Sequence, residues 1–466
     1  MNSKIRSFAW LPVLFAILAC STFIPLPQLE LKHVQITDSY SKKPTSTPTS
    51  TSTIVPSATP SPTLIIPSST PTQISTATPV ATPLTVNTQL RIFENLWSIV
   101  NNTYVYPDFN GLDWNAINQE YRQIIASGLT NDQFYLAMSD VITRLGDDHS
   151  FFLDPQQVAK LEAKLMGEYD YVGIGALVSA VPERDRAVIL AVISGSPAEE
   201  AGLQPRDNIL SVDGIPILND DGFLQDIVRG PEGTTITIVV QSPGEDLREI
   251  RLKRHRIIGD FPIVYTVINS TEGMRIGYIL LVSFEDGTID DQVAAALGQM
   301  NADGPLDGLI LDIRMNGGGS STVLEPVLGY LIGGNMGYFV NHLEERPLEI
   351  TLNDINGSSQ VPLVVLVGSG TASFGEIFAG VLQDTGRAYL IGTTTDGNVE
   401  ILWGFNLEDG SQLWLAKETF RPLNHPDQDW EKTGIIPDLY VSGEFDQYTL
   451  DNDPAVLAAI QYFSEH

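Results

Sequence analysis

The stretch that most constrains this chain is residues 361–386, VPLVVLVGSGTASFGEIFAGVLQDTG. Val361 to Val367 is a short unbroken apolar run, as expected of a strand buried on both faces. Gly368-Ser-Gly370 breaks it. A helical stripe of Phe374, Ile377, Phe378, Val381 and Leu382 follows, with Gly386 just past its end. Ser373 therefore falls where a buried strand hands over to a helix. The unpaired N–H groups and positive dipole end of such a helix favour developing negative charge. A nucleophilic serine needs that setting, because an oxyanion forms beside it. Ser373-Phe-Gly-Glu376 also fits S-x-x-E, a capping box in which the serine would only cap the helix. The stretch is not the G-x-S-x-G elbow of the hydrolase fold, since it reads Gly370-Thr-Ala-Ser373-Phe-Gly375.

The flanking segments alternate strand and helix. Ile276–Val282 is an apolar strand, Gln292–Met300 a helix and Leu309–Ile313 a second buried strand that empties into Arg314-Met-Asn-Gly-Gly-Gly319. Free N–H groups at the carboxyl end of a strand lie where open α/β sheets place their sites. No G-K-[ST] follows, so the triplet is not a phosphate loop. It reads as one wall of an oxyanion hole with Gly318 as donor. Beyond the helix of Ser373 come a strand, Ala388 to Ile391, and Gly392-Thr-Thr-Thr-Asp-Gly-Asn398. Strands with Trp403, Leu413 and Leu415 follow, then HPDQDWEKTGIIPDLYV, residues 425–441, with Glu431 three residues before Gly434.

Upstream, three apolar stripes predict a small helical domain: Leu90, Phe93, Leu96, Trp97 and Val100; Tyr121, Ile124 and Ile125; Phe134, Met138, Val141, Ile142 and Leu145. It ends in RLGDDHSFFLDP, residues 144–155. Of six histidines, His149 alone sits between a carboxylate pair and a small hydroxyl residue, where Asp147 or Asp148 could orient or charge it. The plain alternative is a surface loop histidine.

Residues 168–256 carry short β-like runs, Ala187–Val192, Ile209–Val212, Thr235–Val240 and Arg248–Leu252. GSPAEEAGL, residues 195–203, and DNILSVDG, residues 207–214, resemble a PDZ domain. That resemblance implies that Val172, Gly173, Ile174 and Gly175 present backbone N–H groups to a peptide's terminal carboxylate. The peptide then adds as a strand to the sheet edge.

The formal net charge of −31 argues against nucleic acid and against electrostatic attraction to anionic lipid. Residues 1–20 have the parts of a secretory signal: Lys4 and Arg6, an apolar run from Phe8 to Ala19, and Ile17-Leu-Ala-Cys20. Cys20 is the only cysteine, which excludes an intrachain disulfide. Small residues before a lone cysteine at this place resemble a bacterial lipobox, implying cleavage before Cys20 and lipid on the new N-terminus. Residues 41–86 are almost only Ser, Thr and Pro. They cannot bury enough apolar surface to offset chain entropy, and they read as an extended stalk.

A PDZ domain set between helices and an α/β serine domain resembles the carboxyl-terminal processing, or tail-specific, proteases. The likeness covers roughly 88–442 and is carried by LDIRMNGGG (311–319), GTASFGEIFAGVLQDTGRAYLIG (370–392) and GIIPD (434–438). It implies an α/β core of crotonase/ClpP-like βαβ units over 258–466, an inserted PDZ domain over 167–257 and a helical domain over 88–166. A Ser/Thr/Pro-rich linker over 21–87 and a lipoprotein signal over 1–20 would precede them. It also implies that Ser373 is the nucleophile. The best-known members pair that serine with a lysine in a Gly-Lys-Gly turn about 25 residues on, but this chain has Asn398 there. The tricorn-like branch uses Ser, His and Glu, with the histidine after the helical segment and the glutamate just before the Gly-x-x-Pro-Asp turn. His149 and Glu431 stand at those two places.

The resemblance therefore implies acyl transfer with His149 as base, Glu431 orienting it, and the N–H groups of Gly318 and Phe374 holding the oxyanion, without cofactor or metal. The expected function is a serine endopeptidase anchored by Cys20 to the bacterial cell envelope. It would face outside the cytoplasm and act on proteins or peptides with free C-termini. The competing reading is a pseudoprotease acting as a PDZ scaffold, motivated by Asn398 and by Phe374-Gly375 within the serine motif.

Overall fold

The computed structural model describes residues 83–147, 149–165, 171–258 and 261–466. The signal segment with Cys20, the Ser/Thr/Pro-rich stretch up to 82, and Asp148 lie outside the described residues.

The central sheet has six strands in the order Val264–Asn269, Arg275–Leu280, Gly308–Asp312, Leu363–Val367, Tyr389–Gly392 and Leu439–Tyr440. The first pair is antiparallel and the others are parallel. All five residues of Leu363–Val367 are buried, because the sheet is covered on both sides. Leu363, Val365 and Val367 pack on the layer built from helices Ile289–Met300, Ser321–Gly329 and Phe374–Asp384. Val364 and Leu366 face the C-terminal helix Pro454–Glu465 and Val181, Val188 and Leu190 of the segment expected to be a PDZ domain.

That segment is a sheet ordered Ala176–Val181, Arg186–Val192, Asn208–Val212, Thr235–Gln241 and Arg248–Lys253. Alternation along Thr235–Gln241 buries Ile236, Ile238 and Val240. A buried charge network pins it to the core. The Arg206 guanidinium donates to Asp453 (2.7 Å) and Tyr278 (3.2 Å), while Arg314 donates to Asp312 (2.7 Å) and Asp453 (2.6 Å). Burial alone would raise the Asp312 pKa, but Arg314 and Arg206 beside it hold it below its ordinary value.

The helices Val86–Thr103, Trp114–Ala126 and Asn131–Thr143 bear out the three predicted stripes, with one correction. Ile124 is 39% exposed, and the buried face of its helix is Trp114, Ile117, Tyr121 and Ile125. This helical core continues into the hairpin Ile401–Asn406/Gln412–Pro422 through Leu402, Leu407, Leu413 and Leu415. Phe151–Leu153 pairs with the same long strand, Phe151 opposite Trp414. That pairing carries the loop holding His149 from the helical segment to the α/β core.

Candidate active site

Four loops at the carboxyl ends of the parallel strands converge. Phe284 N–H donates to the Gly318 carbonyl at 2.7 Å, and Ala372 N–H to the Asn316 carbonyl at 3.0 Å. Ser373 N–H donates to the Asn398 carbonyl at 2.6 Å. Gly318 and Ser373 are so close that a Cβ on Gly318 would stand 2.7 Å from the Ser373 Cβ and 3.0 Å from the Phe374 nitrogen.

Ser373 does not cap its helix. Its backbone has φ 53° and ψ −126°, and its side chain makes no cap hydrogen bond. A non-glycine residue held there carries about 1–3 kcal/mol of strain. The surroundings enforce it. The Glu376 carboxylate, which a capping box would turn back toward Ser373, instead accepts from Thr395 Oγ1, Gly397 N–H (2.8 Å) and Asn398 N–H (2.6 Å). It thereby fixes the loop whose carbonyl at Asn398 holds the Ser373 amide. Burial raises the Glu376 pKa to about 7 although those three donors work in the opposite direction. The Ser373 hydroxyl is left without a hydrogen-bond partner among the described residues.

The N–H of Phe374, first in its helix, also has no acceptor among the described residues. Gly318 differs: its N–H donates to Asn316 Oδ1 at 2.8 Å, so this expected oxyanion donor is occupied in the resting structure. Gly318 itself adopts φ +95°.

The structure brings His149 and Glu431 together, with Nε2 2.9 Å from Oε1. Glu431 presents that oxygen because its other, Oε2, accepts from Val399 N–H (2.7 Å) and Glu400 N–H (3.2 Å). Asp147 Oδ1 accepts from the N–H groups of His149 (3.1 Å) and Ser150 (2.5 Å), and Asp147 Oδ2 accepts from the Tyr104 hydroxyl (2.6 Å). Ser150 Oγ accepts from Ala416 N–H at 3.0 Å, locking the loop to the long strand. Glu400, which the sequence reading did not single out, has Oε2 3.8 Å from His149 Nε2 and a side chain 1% exposed.

Burial by itself would lower the His149 pKa. The hydrogen bond to Glu431 and the charges of Glu400, Glu431 and Asp147 outweigh it and raise the pKa to about 9. Burial, with the charge of Glu431, pushes Glu400 up to about 8. No hydrogen bond joins His149 to Ser373 among the described residues. Nε2 faces Glu431, and Nδ1 has no hydrogen-bond partner among the described residues.

In the second candidate site, Tyr171–Gly173 pairs with His255–Ile257. The N–H groups of Ile174 and Gly175 donate to nothing among the described residues. Gly175 has φ +79°, and a Cβ there would meet the Ser196 Cβ at 2.3 Å, so only glycine fits. Val172 accepts from Gly230 N–H, and the Arg229 guanidinium lies 4.7 Å over the Tyr171 ring. Arg229, also missed in the sequence, adds a cation beside this loop.

Residues 275–441 match peptidase family S41, residues 188–242 a PDZ domain and residues 88–143 the tricorn protease C1 domain. A carboxyl-terminal-processing protease of Synechocystis sp. is 32% identical over 377 residues, covering 80% of this chain and 85% of that protein. One of Picosynechococcus sp. is 32% identical over 354 residues, covering 75% and 82%. Among solved structures, a photosystem II D1 C-terminal processing protease is similar with a TM-score of 0.54 and 27% identity, covering 76% of this chain and 93% of its own.

Proposed function

Since the chain belongs to the carboxyl-terminal-processing serine proteases of peptidase family S41, we propose that its chemistry runs through Ser373, His149 and Glu431. The observation that carries this reading is the 2.9 Å contact of His149 with Glu431 in a chain whose position 398 is asparagine. Asn398 cannot act as general base. His149 Nδ1 takes the proton of Ser373 as its oxygen attacks the scissile carbonyl, and returns it to the leaving amine. Glu431 orients the ring and stabilises its charged form. Phe374 N–H binds the developing oxyanion, joined by Gly318 N–H once substrate displaces Asn316 Oδ1. The strained Ser373 backbone and its unpartnered hydroxyl support the nucleophile assignment.

The substrates are proteins or peptides whose free C-termini are captured at Val172–Gly175, and the protein works outside the cytoplasm. Lipid on Cys20 and the Ser/Thr/Pro-rich stretch would tether it to the membrane. Cys20→Ser should move the protein from the membrane to the soluble fraction with its peptide cleavage intact; a wild-type protein already soluble and unlipidated in a bacterial host would reject the anchor.

The missing Ser373–His149 bond and the occupied Gly318 N–H favour a second reading, a scaffold with an inactive core. A serine-reactive fluorophosphonate separates the two. Labelling that disappears in Ser373→Ala supports the protease. No labelling, with peptide binding retained, supports the scaffold.

A further inference from the structure

Three side chains from distant parts of the chain aim donor atoms at one point. They are His149 in the loop after the helices, Glu400 just before the strand Ile401–Asn406, and Glu431 in the turn Trp430–Thr433. Their donor atoms all lie within 4.8 Å of one another. Among the described residues Glu400 Oε2 is buried and has no hydrogen-bond partner, although its side chain is only 1% exposed and Tyr106 hydrogen-bonds the same carboxyl group. A buried carboxylate oxygen left unpaired is costly, and a cation at the shared point would satisfy it. We propose that His149 Nε2, Glu400 Oε2 and Glu431 Oε1 form a binding site for a divalent zinc ion that switches the protease off.

The donor set selects the ion. One imidazole nitrogen and two carboxylate oxygens suit Zn2+, whereas Ca2+ and Mg2+ demand six or more oxygens. Three protein ligands leave a fourth, tetrahedral position for water. With metal–ligand distances of about 2.0–2.2 Å, tetrahedral donors stand roughly 3.3 Å apart. The present separations of 2.9 Å and 3.8 Å from His149 Nε2 bracket that value, and the two carboxylate oxygens lie within 4.8 Å of each other. The outer contacts that orient a ligand already exist, since two backbone N–H groups hold Glu431 Oε2 and leave Oε1 for the ion. The side chains of His149 and Glu431 are 9% and 17% exposed, which gives the ion an approach.

The inhibitory step is a proton balance. Starting from the doubly protonated ring, Zn2+ takes the Nε2 lone pair, and the proton that Nε2 held against Glu431 leaves to water together with the proton of the Glu400 carboxyl group. The one remaining ring proton sits on Nδ1. No lone pair is then left to accept the proton of Ser373. This consequence rests on His149 being the base, whereas metal binding does not.

The test titrates Zn2+ alone into the chelator-treated full chain carrying Ser373→Ala, which removes turnover and keeps all three ligands. Calorimetry should give one ion per chain. Adding Glu400→Gln or His149→Ala to that protein should weaken binding by about 100-fold or more, since losing even an outer contact to a ligand costs about 10- to 100-fold. X-ray absorption of the zinc-loaded protein should show imidazole nitrogen and oxygen donors, a readout that does not depend on how well the variants fold. Zn2+ should abolish wild-type peptide cleavage, and a chelator should restore it. Absence of binding, no imidazole in the absorption spectrum, or equal affinity in Glu400→Gln overturns the metal site while leaving the base assignment untouched. Near-wild-type turnover of metal-free His149→Ala overturns the base assignment and with it the inhibitory step, whatever the calorimetry shows.

Discussion

Nε2 of His149 lies 2.9 Å from Oε1 of Glu431, across 282 positions of sequence. Two strand pairings bring them together: Phe151–Leu153 onto Gln412–Pro422, and the central sheet out to Leu439–Tyr440 beyond the turn of Glu431. The helical segment therefore delivers an imidazole to an α/β core that carries asparagine at position 398.

On the proposed mechanism the carboxylates around His149 should set the pH dependence of cleavage. A base must be neutral, so kcat/KM rises with pH through the imidazole pKa. With that pKa raised to about 9, the rising limb should centre well above the reference value of about 6.5. Glu431→Gln removes the hydrogen-bonded charge, so its midpoint should fall toward 6.5 and its plateau should drop. A wild-type midpoint at 6.5 would show that these carboxylates do not control the base.

Loss of the base should cost as much as loss of the nucleophile. His149→Ala and Ser373→Ala should be equally inactive in peptide cleavage, since members of a catalytic unit are not additive. Adding Asn398→Lys to His149→Ala should not restore turnover. Position 398 contributes its backbone, with its carbonyl on Ser373 N–H and its N–H on Glu376, and a lysine there would still lack a pocket that lowers its pKa. Turnover regained in the double variant would show that the lysine mechanism needs only the one residue.

What was legible in the sequence was local. Period and glycine breaks located the strand Leu363–Val367 and the helix Phe374–Asp384, and GSPAEEAGL with its neighbours located the PDZ domain. The His149–Glu431 pairing was reached only through family resemblance, because no local pattern links two side chains so far apart. Glu376 was misleading. Its spacing from Ser373 suits a capping box, yet its carboxylate goes to residues 19–22 positions downstream. Glu400 and Asn316 gave no signal, because what a polar side chain meets once buried is decided by tertiary packing.

Gly318→Ala should be damaging beyond its size. The residue has φ +95°, and its new Cβ would press on the Ser373 Cβ and the Phe374 nitrogen. Turnover should fall by about 100-fold or more, the scale of losing one oxyanion donor. Stability should fall by about 1–3 kcal/mol from the backbone strain. Denaturant unfolding and peptide cleavage read the two effects separately, and a variant with wild-type turnover would remove Gly318 from the oxyanion assignment.

The PDZ loop offers the last prediction. N–H groups on Ile174 and Gly175 without acceptors among the described residues, with Arg229 over Tyr171 of the same loop, suit a carboxylate better than an amide. A set of charge-assisted hydrogen bonds contributes about 1.5–3 kcal/mol, so a peptide ending in a free acid should bind about tenfold or more tighter than its C-terminal amide. Arg229→Ala should narrow that gap by weakening the acid and leaving the amide where it was. Binding is best measured on Ser373→Ala, so that cleavage does not consume the ligand. Equal affinity for acid and amide would mean that the loop holds peptides by strand addition alone, with Ala176–Val181 as the edge.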